Sequence, residues 1–172
     1  MIKNVEIKAA CENPMHIREY LLANQARYIG TDHQRDTYFN VGSGRLKLRQ
    51  GNIENALIHY DRENKKGPKT SSVKLYPVKD GSLLEELLGA ALGVRVVVQK
   101  TREIYFIRHV KFHIDKVEGL GSFVEIEAID DADVRSTDEL RADCEHYLVA
   151  FGIHESDLLT NSYSDMLLAR DE

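Results

Sequence analysis

"NVEIKAA", residues 4–10, sets Asn4, Glu6 and Lys8 on one side of an extended segment and Val5 and Ile7 on the other, because strand side chains at i and i+2 share a face. Outward from this stretch the alternation returns with the charges sorted by strand. In "GRLKLRQ", residues 44–50, Arg45, Lys47 and Arg49 lie opposite Leu46 and Leu48. "ENALIHYDRE", 54–63, puts Tyr60 with Arg62, and "QKTREIYF", 99–106, puts Lys100 with Arg102. "KFHID", 111–115, aligns Lys111, His113 and Asp115, and "FVEIEA", 123–128, aligns Glu125 with Glu127. A well-solvated surface intersperses acids and bases. Here the third strand is purely basic and the eighth purely acidic, while the first sets Glu6 beside Lys8.

A sheet curled so that these faces look inward would place basic strands around a low-dielectric cavity, with Glu6, Asp115, Glu125 and Glu127 clustered at one side. Like charges repel and unpaired buried ions are heavily penalised, so such a cavity is expected to be unstable when empty. It calls for a polyanion and a divalent cation. Mg²⁺ is usually held by a few carboxylates together with substrate phosphates. Arg supplies forked donors for phosphate oxygens and Lys a point charge.

The chain has 172 residues, the length of one domain, 1–172. With 23 Lys and Arg against 28 Asp and Glu, its net charge of -5 argues against a general nucleic-acid binder, and any basic site must be local. No apolar run approaches the roughly 20 residues of a membrane span, and the first ten residues lack the pattern of a signal peptide. Cys11 and Cys144 have no CxxC spacing and read as packing groups, which points to a reducing, cytoplasmic setting.

Pro14 is predicted to open a helix with Asn13 as its cap. A second helix is predicted over 82–93, with Ser82 and Glu85 as a capping box, Gly93 as its stop, and Leu87, Leu88 and Ala91 as a core stripe. "DTYFNV", 36–41, and "SSVKLYPV", 71–78, read as strands, "EGLGS", 118–122, as a hairpin turn, and 136–151 and 155–169 as two closing helices. His113 is either a hydrogen-bonded wall residue beside Asp115 or an aid to proton transfer, and the other histidines lack the paired spacing of a zinc site. Tyr163, on the last helix, either lines the cavity or packs.

"NVEIKA", "RLKLRQ", "KTREIYF", "HIDKVEGLGSFVEIE" and "NSYSDMLL", in this order and spacing, resemble the CYTH superfamily, the triphosphate tunnel metalloenzymes, over almost the whole chain. That superfamily includes class IV adenylyl cyclases and hydrolases of thiamine triphosphate or inorganic triphosphate. The resemblance implies an α+β fold: a closed eight-stranded antiparallel β-barrel with flanking helices, whose tunnel binds a triphosphate with Mg²⁺ or Mn²⁺. Of the family's E-x-E-x-K signature, Glu6 and Lys8 fit, and Asn4 offers a neutral oxygen in place of the first acid.

By the same resemblance Glu6, Lys8, Arg49, Lys100, Arg102 and Glu125 are the catalytic set. Lys8, Arg45, Lys47, Arg49, Arg62, Lys100, Arg102 and Lys111 are the phosphate contacts, with Arg62 substituting for a fourth-strand base because Asp61 stands where relatives carry Lys. Glu6, Asp115, Glu125 and Glu127 are the metal ligands. The implied activity is class IV cyclase-like, ATP to cyclic AMP and pyrophosphate. A triphosphate hydrolase is the alternative, and a non-catalytic nucleotide- or polyphosphate-binding module the third reading. The implied partner is ATP, inorganic triphosphate or thiamine triphosphate, with no nucleic acid or membrane and a homodimer as the candidate assembly.

Overall fold

The computed structural model describes residues 2–62 and 64–171. Its strands are β1 (Ile2–Ala10), β2 (Arg27–Phe39), β3 (Arg45–Gln50), β4 (Asn55–Arg62), β5 (Lys69–Pro77), β6 (Val94–Ile107), β7 (Val110–Val117) and β8 (Gly121–Asp130). Four helices accompany them: α1 (Met15–Ala23), α2 (Ser82–Leu92), α3 (Thr137–Ala150) and α4 (Tyr163–Arg170). The strands close into one antiparallel barrel in the order β1-β5-β4-β3-β2-β6-β7-β8.

Much of this barrel's apolar core lies outside it. Val5, Ile7, Phe112, Ile114, Val124, Ile126 and Ala128 face outward and are buried with Ile17 and Leu21 of α1 and Leu140 and Cys144 of α3. The alternate positions of β1, β7 and β8 turn their polar side chains inward, as strand periodicity requires. Cys144 is fully buried, and burial pushes its thiol up to about 12, so it is a packing group whose Sγ donates to the Val5 carbonyl at 3.2 Å.

α4 lies across the barrel end formed by the β2–β3 and β7–β8 turns. Arg45 at the start of β3 bonds Asp165 at 2.7 Å, and Arg170 donates to the Gly119 carbonyl at 2.7 Å. Tyr163 and Leu167 pack with Val98, Val117 and Phe123 at that end. The turn at 118–120 joins β7 to β8 as the sequence predicts, with Gly119 at φ +81°, a conformation cheap only for glycine.

Several local expectations change. β2 begins at Arg27, well before "DTYFNV", because its first half carries polar residues on both faces and so shows no period, yet it pairs with β6 along its length. α1 starts one residue later than predicted, although the Asn13 side chain still accepts from the Met15 N–H at 3.1 Å. α2 has no capping box: Ser82 donates to Asp80, and Glu85 instead accepts from Arg35, Thr37 and Gln50. The closing segment 155–169 is two elements, a 3-10 turn at Glu155–Asp157 and then α4, because a Ser162–Asp165 capping box starts a new helix. α3 carries the same device at Ser136 and Glu139.

The predicted core stripe of α2 is not core. No α2 residue is buried, and Leu87 is 58% exposed. The helix is anchored to the barrel through the polar contacts of Glu85, so an apolar period alone did not fix what it packs against. Leu140→Ala, at a fully buried position on α3, is therefore expected to cost about 2–5 kcal/mol in urea unfolding. Leu87→Ala should stay within about 0.5 kcal/mol; equal losses at both positions would contradict this assignment of the core.

Candidate functional site

The inward faces enclose a cavity of about 150 Å³. Among the described residues, seven cationic side chains line it (Lys8, Lys47, Arg49, Arg62, Lys100, Arg102 and Lys111) against four carboxylates, Glu6, Glu54, Glu125 and Glu127. The lining thus has the opposite sign to the chain, whose net charge is -5.

Strand register brings the partners together. Asp36 is directly across from Arg49, Arg102 from Asp115, Lys8 from Glu125, and Lys111 from Glu127. Directly opposed residues have Cβ atoms ~5 Å apart, close enough to pair.

On the β2–β3–β6 wall, Arg49 grips Asp36 with two bonds of 2.9 Å, Lys100 reaches it at 2.8 Å and Lys47 at 3.3 Å. Burial would raise the Asp36 carboxyl, but Arg49, Lys100 and Lys47 hold it well below the usual range. Burial in turn lowers the Lys100 ammonium well below its ordinary value, assisted by the neighbouring Arg49 and Arg102 and opposed by Asp36. Beyond this cluster, Glu54 accepts from Lys111 at 2.6 Å and from Arg49 at 3.4 Å.

Arg102 binds Asp115 through two 2.7 Å bonds, and the Tyr163 hydroxyl donates to the same carboxylate at 2.7 Å. The Lys8 ammonium sits 3.8 Å above the Tyr163 ring and 3.2 Å from Glu125. Tyr163 therefore both lines the cavity and fixes Asp115. Arg62 pairs with Glu6.

On the β1–β8–β7 side, His113 Nδ1 lies 3.1 Å from Glu125, not against Asp115, and the Asn4 amide donates to Glu127 at 2.5 Å. His113 Nε2 and Asn4 Oδ1 are buried without a partner. One ring nitrogen of His113 and one oxygen each from Glu125 and Glu127 lie within 4.8 Å of one another. Burial raises the Glu127 carboxyl, with Glu125 and Glu6 adding to the rise against Lys111, whereas Lys8 and His113 hold Glu125 well below the usual range despite its burial. Crowded carboxylates beside orphaned acceptors are a donor set that a divalent cation fits.

Of the residues singled out from sequence, Glu6, Lys8, Lys47, Arg49, Arg62, Lys100, Arg102, Lys111, Glu125 and Glu127 all line the one cavity. Asp115 lies behind it, with its oxygens engaged by Arg102 and Tyr163, and Arg45 lies at the α4 end against Asp165. Sequence reasoning missed Asp36, Glu54 and Lys69. Lys69 is only 1% exposed and donates to the Thr160 carbonyl at 2.7 Å, tying β5 to the segment that leads into α4. Asp36 lies within the stretch read as a strand and shares a face with Gln34 and Tyr38, but as a single acid on that face it repeats no charge. The missed acids also change one expectation: Asp36 and Glu54 neutralise cations that would otherwise repel, so the unliganded barrel is held by its own pairs.

Burial, and next the charge of Arg102, push His113 down to about 4 from 6.5. Between those values the unfolded chain binds a proton that the native one does not. The stability this residue contributes is therefore complete above 6.5 and is lost as pH falls towards 4. From about pH 6.5 to 5, His113→Gln should flatten the loss of unfolding free energy by about 1 kcal/mol per pH unit. Parallel slopes for the two proteins in urea titrations would show that His113 does not titrate in this way.

The family model described as the CYTH domain matches residues 3–148. A Methanocaldococcus jannaschii protein named "Putative adenylate cyclase" is 27% identical over 178 residues, covering 94% of this chain and 97% of that protein. A solved Pyrococcus horikoshii structure matches with TM-score 0.78 at 24% identity, over 94% of this chain and 98% of that one. A Hippeastrum structure, described as a "putative adenylyl cyclase" with a dominant triphosphatase activity, matches with TM-score 0.59 at 15% identity, over 99% of this chain and 96% of that one. Matched from residue 3 to residue 148 in sequence, and in its closed eight-stranded barrel, this chain belongs to the CYTH domain family.

Proposed function

We propose that the chain, acting as one domain over 1–172, is a metal-dependent enzyme that binds a triphosphate inside the barrel and converts ATP to cyclic AMP and pyrophosphate. The observation that carries this reading is the excess of cations over carboxylates lining the cavity of a chain with net charge -5. Lys8, Lys47, Arg49, Arg62, Lys100, Arg102 and Lys111 bind the phosphates, Arg through its fork and Lys as point charge. Glu125 and Glu127, with Glu6 on the adjacent strand, would hold Mg²⁺ or Mn²⁺. The cation, when bound, supplies neutralisation of phosphate charge. Asp115 holds Arg102 in place rather than offering a free oxygen.

Phosphoryl chemistry needs positioning and charge stabilisation above all. In the cyclase reaction the ribose 3′-hydroxyl attacks the α-phosphorus and pyrophosphate leaves; the cationic wall stabilises the leaving charge. Cyclase naming in the M. jannaschii relative supports this reading. So does the apolar side of the cavity, where Ile58, Val73 and Leu75 stand with Tyr60 and suit an organic group better than inorganic triphosphate. Hydrolysis of inorganic or thiamine triphosphate is the second reading, favoured by the triphosphatase activity described for the Hippeastrum protein.

Purified protein with Mg²⁺ or Mn²⁺ should release cyclic AMP from ATP; free phosphate from tripolyphosphate or thiamine triphosphate would select the hydrolase. Turnover of none of the three would sink both readings. Lys47→Ala and Arg49→Ala should each lower kcat/KM by about 10- to 100-fold, the worth of one charge-assisted hydrogen bond. Unchanged values would leave these cations without a role in phosphate binding.

A further inference from the structure

Within the cavity's acidic side, a nitrogen donor stands among the carboxylates. His113 is 2% exposed, and β7–β8 register sets it directly opposite Glu125. One of its ring nitrogens lies within 4.8 Å of ligand oxygens on both Glu125 and Glu127, and these are mutually within the same distance. Two polar atoms here have no partner although buried: His113 Nε2 and the carbonyl oxygen of Asn4, itself 3% exposed and bonded to Glu127. Unpaired buried polar groups are rare and costly, and these two belong to side chains whose other polar atoms already touch Glu125 and Glu127, so a group that accepts lone pairs would satisfy them. Of the neighbouring acids, Asp115 is occupied by Arg102 and Tyr163.

We propose that His113 is itself a metal ligand, completing with Glu125 and Glu127 a mixed nitrogen and oxygen donor set that prefers Mn²⁺ or Co²⁺ to Mg²⁺. This rests on the reading of the cavity as a metal-dependent triphosphate site and adds a nitrogen donor to its carboxylates. Mg²⁺ takes oxygen ligands in a strict octahedron and keeps much of its water, whereas imidazole suits later first-row cations, with Co²⁺ above Mn²⁺ in affinity. Asn4 fits the same logic, placing a neutral amide where a carboxylate would have strengthened an all-oxygen site.

The test is pulsed electron paramagnetic resonance of Mn²⁺ bound to the full chain, alone and with inorganic tripolyphosphate. Histidine nitrogen coupling is expected, changing when histidine is supplied as ¹⁵N and vanishing in His113→Gln. None of the other six histidines lines the cavity, so the signal has one source there. Calorimetric affinity for Mn²⁺ and Co²⁺ should fall at least about 10-fold in that variant, with Mg²⁺ affinity unchanged. Bound Mn²⁺ without nitrogen coupling overturns the proposal and leaves an all-oxygen site standing. No Mn²⁺ bound under either condition overturns the triphosphate-site reading as well. Should His113→Gln not fold, the isotope substitution in the unaltered protein decides by itself.

Discussion

Three cations meet on the one carboxylate of Asp36, and that buried contact sets the terms for the rest of the barrel. Ions removed from water cost several kcal/mol each unless partners repay them. A lumen lined by seven cationic side chains is tolerable only because strand register puts an acid across from several of them. Pairing is therefore a condition of closure. It also explains why the barrel keeps much of its apolar packing on the outside, under α1 and α3, where charges would have no partners.

The pairing is uneven around the ring. Four of the seven lumen cations stand on β3 and β6, while Glu6, Glu125, Glu127, His113 and Asn4 stand on the β7–β8–β1 arc together with Lys8 and Lys111, and β4 and β5 contribute Ile58, Val73 and Leu75 beside Arg62. α4 completes the arrangement from outside the sheet, because its first residue, Tyr163, reaches Asp115 and underlies Lys8. Lys69, sealed in the wall, fastens the segment that delivers it.

The fold was legible where alternation was clean. β1, β3, β7 and β8 each carry mainly apolar residues on one face and polar or charged ones on the other, with a single sign of charge in β3 and β8, and their register follows from the same parity. Only the second half of β2 was legible, because polar residues stand on both faces of its first half; Asp36 fell within the part read as a strand, but a single acid on that face repeated no charge. Glu54 opens the run 54–63 read from sequence but stands just before β4 in the structure, and its parity with Tyr60 and Arg62 did not mark it as a partner for Lys111. α2 misled for the opposite reason: its apolar pattern was plain, but a pattern does not say whether a surface finds a partner within the same chain. The site residues came from side-chain type and parity; the pairing that holds them required three dimensions.

If the lumen takes a triphosphate with its metal, as proposed, self-pairing makes the barrel an ion exchanger. A phosphate oxygen that draws Lys8 towards itself leaves Glu125 short of its counter-charge, and Glu125 is one of the oxygens within reach of a cation. Loading by an anion and loading by a metal are then heterotropically linked, each strengthening the other by the same factor, as reciprocity demands. The affinity of either alone would understate the occupancy reached when both are present.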